Sequence, residues 1–335
     1  MGKEDVLLLV NPHSGVIKYR EDIIEAATRL CDSRGLRLNV VFTEGPGDAS
    51  KLAGKAADEG YGKVVVAGGD GTIKDAADGL WRRDTALGII PMGSGNGVGR
   101  SLGVPQVEEK ALETALGSNY IMLDRGLANG DSFYSAFGVG LDAEISYRFS
   151  LDKKRGKSTY IKHALKEIFK YKPRKFRLLT GGNEISTEAM LVAVCNCKQY
   201  GNNAYIAPKA DPADGELDVT VVHAGNFFAK LVAGIDLFSG NLDHNILVKN
   251  FKVSEIEIID EDKGESLITH LDGEPFNTSS NIKIGCEKNG LKIAVPGEVQ
   301  PFRPYVTPML SMMEDLVLDI KKNLHSGKKK VAKPK

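Results

Sequence analysis

At 335 residues, with 42% hydrophobic and 26% charged side chains, the chain is long enough for two domains with separate cores. Lys plus Arg and Asp plus Glu both number 44, so no charge excess points to nucleic acid, and none is expected as a partner. The opening MGKEDVLLLVNPHSG is too weakly apolar for a signal peptide, and no stretch is long and apolar enough to span a bilayer. Cys31, Cys195, Cys197 and Cys286 are too few and too scattered for a disulfide scaffold, so a reducing, cytoplasmic setting is expected.

Residues 6–10 read as a buried strand ending at the turn Asn11-Pro12-His13-Ser14-Gly15. Helical spacing follows (Ile23, Ile24, Ala27, Leu30) and stops at Gly35. Residues 36–43 give the next strand, broken by Gly45-Pro46-Gly47, and Asp48 can cap a helix over 49–59. Val64, Val65 and Val66 form a strand with no polar alternation, so it is buried on both faces. That strand runs into Gly68-Gly69-Asp70-Gly71-Thr72 and then into a helical pattern. Residues 86–90 form another buried strand, ending in Pro91-Met92-Gly93-Ser94-Gly95-Asn96-Gly97. Strands alternating with helices predict a parallel sheet covered on both faces. Its three glycine-rich loops then fall at the carboxyl ends of strands, where open α/β sheets bind ligands.

From about residue 123 the texture becomes short alternating runs: 132–137, 175–179, 188–194, 217–223, 253–259, 267–272, 281–286 and 291–295. This predicts an antiparallel sandwich, interrupted by helices over 158–171 and 227–238. Cys195 and Cys197 extend an apolar strand rather than form a metal site. The expected organisation is an α/β domain over 1–125 and a β-sandwich domain over 126–300. A helix over 301–323, packing back on the fold, and a basic, disordered tail over 324–335 complete it.

The loop at 68–72 carries a chemical tension. Amides at a helix start suit a phosphate, yet Asp70 places a carboxylate among them. That combination points to phosphoryl transfer rather than simple anion binding.

Seven motifs share one order and spacing: NPHSG at 11–15, Thr43, GGDGT at 68–72, IIPMGSGN at 89–96, FGVGLDAEI at 137–145, IAPKADPADGELDV at 206–219 and LDGEP at 271–275. With them the chain resembles the diacylglycerol kinase catalytic family, which includes bacterial lipid kinases and sphingosine kinases. The resemblance implies transfer of the γ-phosphoryl of ATP to a lipid hydroxyl with magnesium. It places Asn11, Pro12, Ser14, Gly15 and Thr43 around the nucleotide, and Gly68, Gly69, Gly71, Thr72, Ser94 and Asn96 along the phosphates. Two carboxylates compete as general base: Asp70, as in sphingosine kinases, and Glu274, as in bacterial diacylglycerol kinases. Asp142 is implied to meet the polar head of the lipid, and Asp214, with Asp218 beside it, to hold magnesium. Lys74-Asp75 departs from the Asn-Glu of many members. Gly97 replaces a usual Asp, which leans toward a sphingoid substrate.

Residues 152–177 hold eleven basic side chains against Asp152 and Glu167. Each basic side chain engaged with an anionic surface contributes roughly 1 kcal/mol. Peripheral binding to anionic membrane is therefore expected there, aided by Lys328, Lys329, Lys330, Lys333 and Lys335. The alternatives are an NAD kinase-like small-molecule kinase and a catalytically silent nucleotide- or lipid-binding module. The sequence leaves monomer or dimer open.

Overall fold

The computed structural model describes residues 4–14, 17–151, 170–262, 267–278, 280–298 and 301–327. Gly15, most of the expected 158–171 helix, most of the 152–177 basic stretch and the lysine-rich tail lie outside these.

The first half alternates as its apolar pattern demands. The elements are β1 (Asp5–Val10), α1 (Ile17–Ser33), β2 (Arg37–Phe42), α2 (Asp48–Asp58), β3 (Lys63–Gly68), α3 (Asp70–Leu80) and β4 (Arg83–Pro91). The short α4 (Gly97–Ser101) and α5 (Glu108–Ala115) follow. The strands pair in parallel in the order β2-β1-β3-β4. β1 is buried along its length and β3 from Val64 onward, so both read as unbroken aliphatic runs. Because β2 and β3 lie on opposite sides of β1, the chain direction switches between β1 and β3. Loops following those two strands face a crevice, the usual ligand position in such sheets.

The second half is antiparallel. It runs through β5 (Tyr120–Ala128), β6 (Asp131–Phe133), β7 (Ala136–Gly140), α6 (Leu141–Leu151), β8 (Arg174–Thr180), β9 (Asn183–Cys195) and β10 (Leu217–His223). Then come α7 (Phe227–Ser239), β11 (Val248–Val253), β12 (Glu255–Asp260), β13 (Leu267–Leu271), β14 (Glu274–Thr278), β15 (Asn281–Ala294) and α8 (Val306–Gly327). A core of aliphatic and phenyl side chains, with Phe133, Phe137 and Phe176 fully buried, fills this half. The result is the expected combination of a parallel α/β layer followed by a β-sandwich. All four cysteines are free thiols.

Four expected runs differ in the structure. Residues 132–137 split into β6 and β7, because the Tyr134, Ser135 and Ala136 amides turn to the Asp272 carboxylate. Residues 253–259 also divide: β11 pairs with β10, while β12 pairs with β8 and β15. Conversely, 281–286 and 291–295 belong to one strand. β15 carries a register shift between Glu287 and Leu291, where the Asp124 carboxylate accepts the Asn289 amide (2.6 Å). What reads as a turn is thus a bulge held from the side.

β15 has a structural consequence. Its first half pairs with β12, its last residues pair in parallel with β4, and β5 runs antiparallel along its other edge. Leu291 and Ile293 are accordingly part of the α/β core, beside Leu123 and Tyr134. One strand therefore joins the parallel and antiparallel parts of a continuous sheet. Leu291→Ala is predicted to cost about 2–5 kcal/mol and to shift a single calorimetric transition as a whole. Two transitions, of which only one moves, would contradict the shared strand.

Candidate active site

The three glycine-rich loops are tied to one another. Asn11 follows β1; its amide NH2 donates to the Thr72 hydroxyl (2.8 Å), and its side-chain oxygen accepts the His13 amide (2.8 Å). Thr43, buried at the end of β2, donates its N–H to Val10 (3.0 Å). The Met92 amide donates to Gly68 (2.8 Å), joining the ends of β3 and β4. Beyond it the backbones nearly touch: a Cβ on Gly93 would lie 2.8 Å from the Gly69 Cα. Only glycine allows that approach. Ser14 lies near the same contact, while Gly71 and Ser94 are exposed at the mouth.

Asp70 crosses from the second loop to the third. Its two carboxylate oxygens accept the amides of Asn96 and Gly97, both at 2.8 Å. These are the amides that open α4, so Asp70 caps a helix it does not belong to. Asn96 takes the left-handed conformation there (φ 55°), one that Asn tolerates better than most residues. Burial lifts the Asp70 carboxyl to about 6, the Asp272 charge pushes the same way, and the two amide bonds oppose it. The carboxylate is thus poised to titrate just below neutrality.

Asp272 and Gly273 form a two-residue hairpin between β13 and β14, both with positive φ (51° and 84°). The Asp272 carboxylate accepts three successive amides, from Tyr134 (2.9 Å), Ser135 (2.7 Å) and Ala136 (3.0 Å). Burial raises its carboxyl while those amides pull it down. Asp70, Asp272, Lys74, Ser135 and Tyr200 converge around a cavity floored by Ile73, Val98, Leu123 and Ile293. The other proposed base, Glu274, begins β14 and is exposed. The LDGEP motif therefore reaches this cavity through Asp272, to which the sequence pattern alone assigns no role.

Asp142 lies in the first turn of α6 and is buried. One of its oxygens accepts the Tyr200 hydroxyl (2.7 Å) and faces His270 Nε2 at 3.2 Å. The Gly273 amide donates to His270 Nδ1 (3.3 Å), which leaves Nε2 as the protonated nitrogen. Gly138 makes this meeting possible: a Cβ there would fall 2.1 Å from the Asp142 carboxylate. Asp142, Tyr200 and His270 together buttress the hairpin that holds Asp272. His270 and Tyr200 carried no motif signal, since a buried histidine in a strand reads as core.

Lys74, in α3, bonds Asp78 (2.9 Å) and Ser132 (3.0 Å). Asp78 also accepts the Tyr134 hydroxyl (3.0 Å) and faces Arg125, which pairs with Glu287 and stacks over Trp81. Helix α3, which begins at Asp70, is thereby fastened to β5, β6 and β15.

Asp214 and Asp218 centre on Lys252 instead. Its ammonium pairs with Asp214 and lies 3.5 Å from Asp218. Among the described residues no three Asp, Glu, His or Cys side chains converge as a metal cage. Lys252 thus supplies the positive charge between the two acids expected to hold magnesium.

Comparison with known proteins agrees with this architecture. Residues 5–127 match the diacylglycerol kinase catalytic domain, and residues 135–295 match the YegS C-terminal NAD kinase beta sandwich-like domain. A Chromohalobacter salexigens protein named "Probable lipid kinase YegS-like" is 29% identical over 87% of this chain and 93% of its own. A Mycobacterium tuberculosis diacylglycerol kinase is 27% identical over 89% and 95%. The crystal structure of a Bacillus anthracis diacylglycerol kinase gives a TM-score of 0.66 at 25% identity, covering 88% of this chain and 97% of that one. The chain belongs to the lipid kinase family built from a diacylglycerol kinase catalytic domain followed by a YegS-type C-terminal domain.

Proposed function

We propose that the protein transfers the γ-phosphoryl group of ATP to the hydroxyl of a diacylglycerol- or sphingoid-type lipid, with Asp70 as proton acceptor. One observation carries the assignment: a half-enclosed carboxylate, lifted to about 6, bridges the glycine loops after β3 and β4, beside the switch point of a parallel sheet. Phosphoryl transfer asks mainly for positioning and charge stabilisation, plus a group to take the hydroxyl proton. The loops at 11–14, 68–72 and 93–97 offer amides and small side chains to the phosphates. As the lipid oxygen bonds to the γ-phosphorus and the bond to the β-phosphate oxygen breaks, the hydroxyl proton passes to Asp70.

The names of the relatives favour a lipid alcohol, and diacylglycerol is the acceptor named for the mycobacterial and Bacillus proteins. The second-domain match mentions an NAD kinase-like sandwich, but the match of the first domain to the diacylglycerol kinase catalytic domain supports the lipid reading. Magnesium, in this reading, arrives with the nucleotide phosphates rather than on the 214–218 acids.

Asp70→Asn is predicted to lower turnover about 10²–10⁴-fold while nucleotide affinity stays within about threefold. Turnover near wild type would remove Asp70 from the mechanism. The pH dependence has a definite sign. Because the folded carboxyl is raised to about 6, the proton-accepting form is lost as pH falls through that value. Activity should therefore drop about tenfold per unit below it. Removing the Asp272 charge lowers the Asp70 pKa, so Asp272→Asn should move that acid limb to lower pH. An unmoved limb would show that the two acids do not interact.

A further inference from the structure

Helix α8 is amphipathic in the reverse sense. A soluble helix normally turns its apolar stripe to the core and its polar stripe to water. Here the inward side is Thr307, Pro308, Ser311, Asp315 and Leu318, while Met309, Leu310, Met313, Leu316 and Val317 face outward with Glu314. The polar stripe has a reason to be inside. Arg100 of α4 donates to Ser311 (3.1 Å) and Asp315 (2.7 Å), and its Nε donates to Gly95 of the third glycine loop (3.2 Å). The Arg100 and Asp315 side chains are only 6% and 14% exposed. A largely enclosed ion pair thus fixes which way α8 faces, and its apolar stripe is left outside, with Met313 57% and Leu316 61% exposed.

Helix α7 lies beside it. The Tyr305 amide donates to Ser239 at the end of α7 (2.7 Å). No residue of α7 is buried. Phe228 is 74% exposed, and Leu231, Val232 and Ile235 continue its open side. The two helices therefore present apolar surface next to each other, larger than scattered surface leucines explain. Beyond Asp319 the sequence holds seven lysines and no acid, so the chain leaves α8 strongly basic. An apolar helical face in a chain whose sequence turns lysine-rich directly afterwards matches the interface of an anionic bilayer, where apolar side chains enter the acyl boundary and basic ones are drawn to lipid phosphates. A second copy of this chain would satisfy the apolar face but repel the lysines.

We propose that the outward face of α7 and α8 docks the protein on anionic membrane. Arg100 then carries the docked helix directly to the Gly95 loop, so the catalytic loops sit over the surface from which a lipid acceptor comes. The inference deepens the lipid kinase reading, and its test is independent of turnover.

The test is flotation of the full chain, without nucleotide, with vesicles of phosphatidylcholine alone or containing phosphatidylglycerol. Anionic vesicles should retain the wild type, salt should weaken retention, and the Met313→Glu/Leu316→Glu variant should lose about tenfold or more in affinity. Both substituted positions are exposed, and an unchanged thermal melt verifies the fold. Activity on detergent-dispersed lipid should persist in the variant. Wild type that ignores anionic vesicles, or a variant that binds them equally, overturns the docking face. So does a concentration-dependent dimer that the variant dissociates, since a second copy then covers the face. A chain that docks but phosphorylates no lipid counts against the lipid kinase reading alone.

Discussion

The site depends on one carboxylate bridging two loops. Asp70 receives the amides of Asn96 and Gly97, and with that the ends of β3 and β4 become a single surface. The same bridge sets its chemistry. Two amide bonds favour the charged form, and burial with Asp272 nearby favours the neutral one, leaving the carboxyl at about 6. A carboxylate with more donors would be too weak a base, and one with fewer would stay protonated near neutral pH. Position and basicity thus come from the same contacts.

The second domain completes the first rather than merely following it. β15 closes the parallel sheet beside β4 and continues into the sandwich, and the Lys74, Asp78 and Arg125 network fastens α3 to β5 and β6. The hairpin bearing Asp272 is steadied by Asp142, Tyr200 and His270. Asp70 is therefore held from its own loop and from the neighbouring loop, while the Asp272 charge of the sandwich raises its proton affinity. Separation of the domains would change its proton affinity as well as its place.

Much of this was legible in the residues. The β-branched run at 64–66, its glycine stop and the helical spacing after it lead directly to β3, the Asp70 loop and α3. The alternation after residue 123 marks the sandwich. What escaped depends on contacts distant in sequence. Asp272 looks like turn chemistry in an Asp-Gly hairpin, and only the fold brings its carboxylate to the 134–136 amides. Nothing in their own neighbourhoods marks His270 and Tyr200. The break around Glu287 to Gly290 looks like a strand end because the Asp124 carboxylate that steadies the bulge is far away in the chain. The acids at 214 and 218 carry no local sign of Lys252, more than thirty residues on, which sits between them. Local periodicity encodes elements well, but it encodes their polar partners poorly.

The central claim is that Asp70 serves phosphoryl transfer to a lipid hydroxyl. Its most direct measurement is incubation of the protein with γ-labelled ATP and a panel of diacylglycerol, a sphingoid base, ceramide and a polyprenyl alcohol, with NAD in a parallel reaction. The account predicts label in an organic-extractable product from diacylglycerol or the sphingoid base and none in NAD. Label entering NAD, or no labelled lipid under conditions where ATP binds, would contradict it.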